Sequence, residues 1–352
     1  MSRAGYFRRE TSPLMSATTS DSGILLTNMR VLFVCSGNSR QSISPIVAAQ
    51  GLSVEKAGVT VDYFPIGGKG TFSYIRAVRR LRCLLRNENY TCLHAHYGLC
   101  GIVALLARRK HKLVVSFMGD DILGSRTGRG RVSVPGRLMA RLNASLSSCC
   151  YDHTIVKSAR MVLHSMKRDS VSVIPNGVDT ELFRPMSRSE ALALTGWEPG
   201  TRHIVFVSDP LRSEKNYQLA RGAVDSLGRT DIKLHAVHGR DQEHMPFVYN
   251  AADALLLTSF HEGSANAVKE AMACNCPVIS TDTGDASWVT ANTAGCYIVP
   301  PDLSSVAGSI VSAVQFRITK GLTEGRARIL SLGLDSVSIA GRIISVYQRI
   351  GG

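Results

Sequence analysis

The sequence predicts an α/β protein of two Rossmann-like halves that face each other across a cleft. Three observations carry this reading. Short apolar runs alternate with helical stretches from residue 30 to 174, the pattern of a doubly wound parallel sheet. A turn cluster bracketed by Pro175 and Pro185 then interrupts the alternation. The same alternation restarts near residue 203 and runs toward the C-terminus. With 352 residues and 44% hydrophobic content, the chain can fill two cores of ordinary size.

In order, residues 30–35 (RVLFVC) read as a buried parallel strand. Ser36-Gly37-Asn38-Ser39 follows as a turn, then a helical stretch to Leu52. A strand over 59–64 leads to a very basic helix over 72–85. The third strand, 90–95, ends in His94-Ala95-His96-Tyr97, and a helix runs on to Ala107. Strand four, 113–117, is followed by Met118-Gly119-Asp120-Asp121 and a Gly/Arg-rich stretch over 124–133 expected to be a mobile loop. A helix over 135–148, a strand over 151–156, a helix over 158–167 and a strand over 172–174 complete the half.

Beyond the linker, 203–208 reads as a strand, 216–227 as a helix and 233–238 as a strand. A short helix over 245–251 and a strand over 254–258 follow. Residues 259–285 read as loop, helix, loop and strand, with helical spacing in Val268, Ala271 and Met272. A strand over 296–299, a helix over 303–317 and an amphipathic helix over 335–350 end the chain. That last helix carries Ala340, Ile343, Ile344 and Tyr347 on one face. Ligands of such a fold are expected at the carboxyl ends of the strands, between the halves.

Charge divides the chain as well. Residues 29–183 carry 22 Lys/Arg against 9 Asp/Glu, net +13, whereas 184–352 carry 16 of each. The first half is therefore drawn to something anionic. The basic helix 72–85 favours an anionic membrane surface. No nucleic-acid recognition module is present, and aromatic content is only 6%, too low for stacking platforms. No apolar run approaches the roughly 20 residues of a spanning helix. Nine Cys in no repeated frame fit a reduced cytoplasmic protein better than a disulfide scaffold or zinc site. Cys149–Cys150 and Cys274/Cys276 read as small buried residues. Residues 1–28 are polar and are expected to be a disordered tail, or the product of a start codon set too early.

The stretch 259–285 organises the chemistry. Glu262 and Glu270 are eight positions apart, with small residues between them. A helix N-terminus among small residues can hold phosphate on its backbone N–H groups. A carboxylate one turn in can take two hydrogen bonds from a ribose diol. On spacing alone, an ordinary buried αβ unit with two solvated acids explains the stretch equally well.

Three signatures in order resolve this, because together they resemble the family-4 retaining glycosyltransferases. Ile174-Pro175-Asn176-Gly177-Val178-Asp179 resembles their interdomain loop. Glu214-Lys215-Asn216 looks like their phosphate-binding element. Glu262-Gly263 through Glu270-Ala271-Met272-Ala273 is similar to their paired-glutamate motif. The resemblance spans about 29–350, and Glu-Gly-Ser with Asn in the motif is closest to the branch that builds bacterial surface polysaccharides. It implies the GT-B fold. A first domain over 29–183 would serve the acceptor and a second over 184–334 the donor nucleotide. The helix 335–352 would return to the first domain.

The resemblance also implies roles. Lys215 and Arg212 would hold the donor diphosphate, Glu270 the ribose, and Glu262 the hydroxyls of the donor sugar. Backbone amides of Gly263, Ser264, Ala265, Asn266 and Ala267 would meet the phosphates and sugar, Gly37 would approach the phosphates, and His96 would stand near the sugar. Fixed cations and a helix N-terminus can stabilise the departing diphosphate, so no metal and no cofactor is implied. The substrates would be a nucleoside-diphosphate sugar and a glycan or lipid-linked acceptor, handled in the cytoplasm or at the inner face of the membrane. One departure weakens Arg212: many members carry Gly-Arg-Leu where Asp209, Pro210 and Leu211 stand here. His94 is expected to point away from His96 into the core, and His235/His238 to be a strand-end pair rather than metal ligands.

Rivals are a sugar-nucleotide epimerase of the same architecture, a non-catalytic scaffold, and a hydrolase using Cys35. For the last, residues 31–42 look like the phosphate loop of low-molecular-weight protein phosphatases. Arg40 comes five positions after Cys35 where that loop needs six.

Overall fold

A computed structural model of the protein describes residues 29–39, 42–68, 70–125 and 132–351. The expected tail, residues 1–28, lies outside them, as do Arg40, Gln41 and most of the Gly/Arg-rich stretch.

The first sheet is parallel in the order β2-β1-β3-β4-β5-β6. Its strands are β1 (Arg30–Ser36), β2 (Thr60–Ile66), β3 (Cys92–His96), β4 (Lys112–Ser116), β5 (His153–Val156) and β6 (Val171–Val173). Helices α1 (Pro45–Lys56), α2 (Thr71–Asn87), α3 (Gly98–Ala107), α4 (Asp120–Leu123) and α5 (Val134–Cys149) connect them. Successive strand residues alternate faces. Leu32, Val34, Leu93, Ala95, Leu113 and Val115 join the core beneath α2 and α3. Val31, Phe33, Cys35, Cys92, Val114 and Ile155 join the core on the opposite face.

The expected helix over 158–167 does not form. A single 3-10 turn, Ala159–Met161, stands in its place, and a second, Arg168–Ser170, follows it. Ser158, Val162, His164 and Ser165 are weak helix formers, and the burial of Met161 and Met166 holds the segment as irregular chain.

After the linker come α6 (Arg188–Thr195), β7 (Arg202–Phe206), α7 (Tyr217–Ser226), β8 (Ile232–Ala236), α8 (Met245–Ala251) and β9 (Ala254–Leu257). Then follow α9 (Asn266–Ala273), β10 (Val278–Thr281), α10 (Ala286–Thr290), β11 (Cys296–Val299), α11 (Leu303–Thr319), α12 (Gly325–Ser331) and α13 (Ser336–Gly351). The second sheet is parallel, in the order β11-β10-β9-β7-β8.

The chain crosses between the sheets twice, and the crossings lie side by side. Val178 N–H donates to the Leu334 carbonyl, and Ser336 N–H donates to that of Val178, both at 2.9 Å. A Cβ on Gly177 would stand 2.8 Å from the Ser336 Cα, so the Asn-Gly pair is glycine there for close approach. Past the second crossing, α13 packs beside α1 and buries Ile339, Ala340, Ile343, Ile344 and Tyr347 against the first sheet.

Candidate active site

The carboxyl ends of the two sheets face each other, and the loop from β9 to α9 lies between them. Thr258 Oγ1 holds the backbone of the turn after β7, reaching the carbonyls of Lys215 (3.2 Å) and Asn216 (3.0 Å). Asn216 is left-handed at φ 53°, which turns Lys215 back toward the loop. Lys215 Nζ then donates to Glu262 Oε1 at 2.6 Å, and Ser259 Oγ donates to the same oxygen at 2.7 Å. Both ends of the ion pair are mostly buried, with 16% and 12% of their side chains exposed. Burial strengthens the attraction and requires a charge of the right sign to stay in place.

Arg212 is not drawn into this pair. Its guanidinium Nε donates to Glu214 at 2.7 Å on the same turn, and 54% of its side chain is exposed. Its position three residues before Lys215 puts it on the outer side of the 3-10 turn Ser213–Lys215.

Gly263 touches the first domain. A Cβ on it would come within 2.4 Å of the Met118 carbonyl oxygen, and one on Gly119 would lie 3.4 Å from Gly263 N. Gly119 sits at φ 140°, a conformation for glycine. Beside this contact His261 Nε2 pairs with Asp120 Oδ1 at 2.8 Å, and the hydrogen bond holds the Asp120 carboxyl below the usual range. Arg160 grips Asp282 across the same gap with two 2.8 Å bonds.

Beneath Gly263, Ala265 caps α9, and the helix N-terminus opens toward the cleft at Asn266 and Ala267. Glu270 lies one turn further in. It is half-buried, accepts from Tyr249 OH at 2.8 Å, and burial raises its carboxyl above the ordinary value. It lines a narrow cavity of about 70 Å³. Ser264 Oγ donates to Asp285 Oδ2 at 2.6 Å and accepts from Lys269 Nζ at 2.8 Å. Lys269 also donates to the Asn176 carbonyl in the linker at 2.7 Å, and Asn176 Nδ2 to Asn266 Oδ1 at 3.2 Å. One buried lysine thus bolts the loop to the crossing between domains.

On the first domain Gly37 closes β1, where a Cβ would meet Pro65, Ile66 and Gly67 at 3.1–3.2 Å. Its glycine is required by the end of β2. His96 is buried at the end of β3 with neither ring nitrogen bonded, and burial keeps it neutral, well below the ordinary histidine value. The two histidines do not point apart. Their rings lie 4.2 Å from each other, because residues i and i+2 of a strand share a face. His94 is the core residue of the pair, held by Tyr347 OH (2.6 Å) and Ser116 Oγ (2.8 Å).

Several charged residues at this floor were not legible in the sequence. Lys157 follows β5 directly, is 1% exposed, and its Nζ has no partner. Burial pushes its ammonium down to about 7, with Lys269 adding and Asp121 opposing. Burial pushes the Asp121 acid up to about 6, although it accepts from the N–H groups of Gly98, Met118 and Gly119 at 2.9–3.0 Å. One signal could have found Lys269: it lies beside Val268 and Met272 on the helical face predicted to be buried.

The cysteine and metal readings resolve separately. Cys35 is buried and its thiol is pushed up to about 12, unlike an activated nucleophile. Cys149 is exposed and Cys150 half-buried at the end of α5, so that pair is not the buried one expected, whereas Cys274 and Cys276 are buried. His235 bonds His203 at 2.9 Å and stacks on Trp197 at 3.9 Å. Among the described residues no group of three His, Cys, Asp or Glu is arranged to hold a metal.

The fold is that of solved glycosyltransferases of the GT-B class. Sucrose-phosphate synthase from Thermosynechococcus elongatus superposes with a TM-score of 0.72 at 17% identity, over 92% of this chain and 99% of that one. Anabaena Alr3699/HepE in complex with UDP and glucose gives 0.69 at 15% identity, over 91% and 100%. Residues 27–177 match the family model for the glycosyl transferase 4-like domain, and residues 202–315 that for glycosyl transferases group 1, together well over half of the chain. The chain belongs to the family-4 glycosyltransferases. A D-inositol 3-phosphate glycosyltransferase of Nocardiopsis dassonvillei is 24% identical over 83% of this chain and 81% of its own length. The MMP alpha-(1->4)-mannosyltransferase of Mycolicibacterium hassiacum is 24% identical over 51% of this chain. The match spans 49% of that relative's length.

Proposed function

We propose that the protein transfers a sugar, with retention of anomeric configuration, from a nucleoside-diphosphate sugar to an acceptor hydroxyl. The observation that carries this is the Lys215–Glu262 pair at the mouth of α9, with Glu270 one turn inside the same cleft. The donor diphosphate replaces the Glu262 carboxylate on Lys215, one anion for another, and rests on the N–H groups at the start of α9. Glu262 is then free to accept from hydroxyls of the sugar, and Glu270 from the ribose diol. As the sugar departs, negative charge grows on the phosphate where Lys215 and the helix N-terminus are already fixed, so little reorganisation is needed. No base is assigned; on the same face the leaving phosphate takes the acceptor proton. His96, neutral and in the wall of the first domain, offers a hydrogen bond to the sugar or acceptor.

The names of relatives guide the choice of substrates. Alr3699/HepE is seen with UDP and glucose, and the relatives include a D-inositol 3-phosphate glycosyltransferase and a mannosyltransferase. Glycans, lipid-linked sugars and inositol phosphate are therefore the acceptors to test, in surface-polysaccharide or glycoconjugate synthesis. Calorimetry with UDP, GDP and ADP tests the donor site. Lys215→Ala and Glu270→Ala should each weaken the preferred nucleotide at least about tenfold; unchanged binding in both would refute the assignment. Release of an altered sugar nucleotide without acceptor would favour an epimerase instead.

We also infer a peripheral seat on an anionic membrane. Among the described residues no helix is long and apolar enough to cross one. On α2, Arg76, Arg79, Arg80, Arg82 and Arg86 are exposed next to Phe72 and Ile75. On α5, Val134, Leu138 and Leu142 form an exposed stripe beside Arg137 and Arg141. Basic and apolar groups together suit an acidic interface. Sedimentation with anionic liposomes should fall steeply with salt; no binding at low salt refutes this part alone.

A further inference from the structure

The cavity that holds Glu270 has a wall that the proposed reaction leaves unused. On the second domain it is lined by Glu270, Asn266 and Gln242, the last in the loop between β8 and α8. On the first domain it is lined by one side of α1, from Ile46 to Lys56, with Gln50 midway along it. Gln50 lies on the buried face of α1 with Val47, Gly51 and Val54, an amide in a row of small and apolar residues. It is 8% exposed, and its Nε2 is buried without a partner. Asn176 Oδ1, in the crossing that closes the same cavity, is likewise buried and unpartnered.

Buried amide groups almost always find hydrogen bonds within the protein, so two of them left open on one cavity call for an occupant with polar edges. In the free protein the cavity is narrow, about 70 Å³, so an occupant the size of a base must widen it on entry. A ribose held by its diol at Glu270 would direct its base toward this same cavity, between the two domains. The α1 wall is also rigid, because Gly51 packs so tightly on Tyr63 that a Cβ there would collide with the Tyr63 ring and hydroxyl.

We propose that Gln50 reads the nucleobase of the donor from the first domain, its Nε2–H donating to a carbonyl oxygen on the base. This rests on the donor reading given above and deepens it. An N–H aimed at an exocyclic carbonyl oxygen favours uracil or guanine over adenine, which carries an amino group at C6 and accepts only through ring nitrogens set further back. It also makes base recognition depend on closure, since Glu270 and Gln50 belong to different domains.

The test is calorimetry on the full chain with UDP, GDP, ADP and ribose 5-phosphate. The wild type should bind UDP or GDP about tenfold or more tighter than ADP, the factor expected when a polar group must be matched in a buried site. Gln50→Met keeps the length of the side chain and removes the donor. It should weaken the preferred nucleotide about tenfold while ADP and ribose 5-phosphate stay unchanged. Its thermal midpoint without ligand should equal or exceed that of wild type, because a buried unpartnered amide is lost. UDP and GDP binding to Gln50→Met as tightly as to wild type overturns the role of Gln50, as does a wild-type preference for ADP. If no nucleotide binds the wild type, the donor reading falls and this inference with it.

Discussion

A lysine buried without a partner should weaken the unliganded fold, and Lys157 provides a quantitative case. Its Nζ has no hydrogen-bond acceptor, and the groups that face it are Lys269, Asp121, His94 and His96. Both histidines are held neutral by burial, and among the described residues the anion that acts on it is Asp121. The ammonium drops from 10.5 to about 7, which at about 1.4 kcal/mol per tenfold corresponds to roughly 5 kcal/mol of lost stability below neutral pH. The sign follows from the depressed value. The cost is fully present below about pH 7, shrinks as pH rises and the folded protein sheds the proton, and vanishes above the unfolded value. Lys157→Met has nearly the same length and no charge. It should be more stable than wild type by a few kcal/mol at about pH 6.5, and the gap should narrow by about 2 kcal/mol by about pH 8.5. Urea unfolding followed by circular dichroism at several pH values measures this. Taking the difference between the proteins removes the buried thiols they share, and Asp121 titrates below the window. A variant less stable than wild type at the lower pH, or a gap indifferent to pH, would refute the reasoning. Either would mean that the ammonium has a partner in the free protein.

Three further outcomes follow from single contacts. Gly263→Ala places a Cβ 2.4 Å from the Met118 carbonyl. It should cut turnover by about tenfold or more, because the clash opposes closure, and weaken UDP or GDP while leaving ribose 5-phosphate unchanged, because only the base contact depends on closure; unchanged turnover would place the contact outside the reaction. Cys35→Ser should leave transfer activity within about twofold, and iodoacetamide on the native protein should label exposed Cys83 and Cys149 before Cys35; loss of activity in that variant would revive the hydrolase reading. Tyr249→Phe removes the 2.8 Å bond to Glu270. It should weaken nucleotide binding several-fold and destabilise the fold by about 1 kcal/mol, read by calorimetry and urea titration; unchanged affinity would show that the phenol does not position the carboxylate.

How far the sequence could be read depended on range. Runs such as VLFV and LVVS are buried on both faces of a parallel sheet, so the local pattern and the structure agree on them. The segment 158–167 misled because a short stretch between two strands reads as the connecting helix of an alternating fold, yet buried Met161 and Met166 anchor irregular chain instead. Helices α4, α6, α10 and α12 went unread because four to eight residues carry too little periodicity. Motif order gave the neighbourhood of the site but not its pairings. Lys215 and Glu262 are 47 positions apart, and nothing local says that one holds the other. A lysine in an otherwise apolar pattern reads as a surface charge by default, which is why Lys157 and Lys269 went unseen.

The Lys215–Glu262 pair changes how the paired glutamates are understood. Glu270 points into a cavity and Glu262 is occupied by Lys215, so the acids differ in the free protein before any substrate arrives. In the proposed reaction the donor diphosphate takes over Lys215, and the carboxylate it displaces must find new donors or bear the cost of a buried charge. Ser259 supplies one at 2.7 Å. The remaining valences of Glu262 are what a sugar with correctly placed hydroxyls would satisfy. On that argument Glu262 is a discriminator of the sugar as well as a contact to it, since a donor that fails to satisfy the displaced carboxylate would leave the Lys215 pair unbroken.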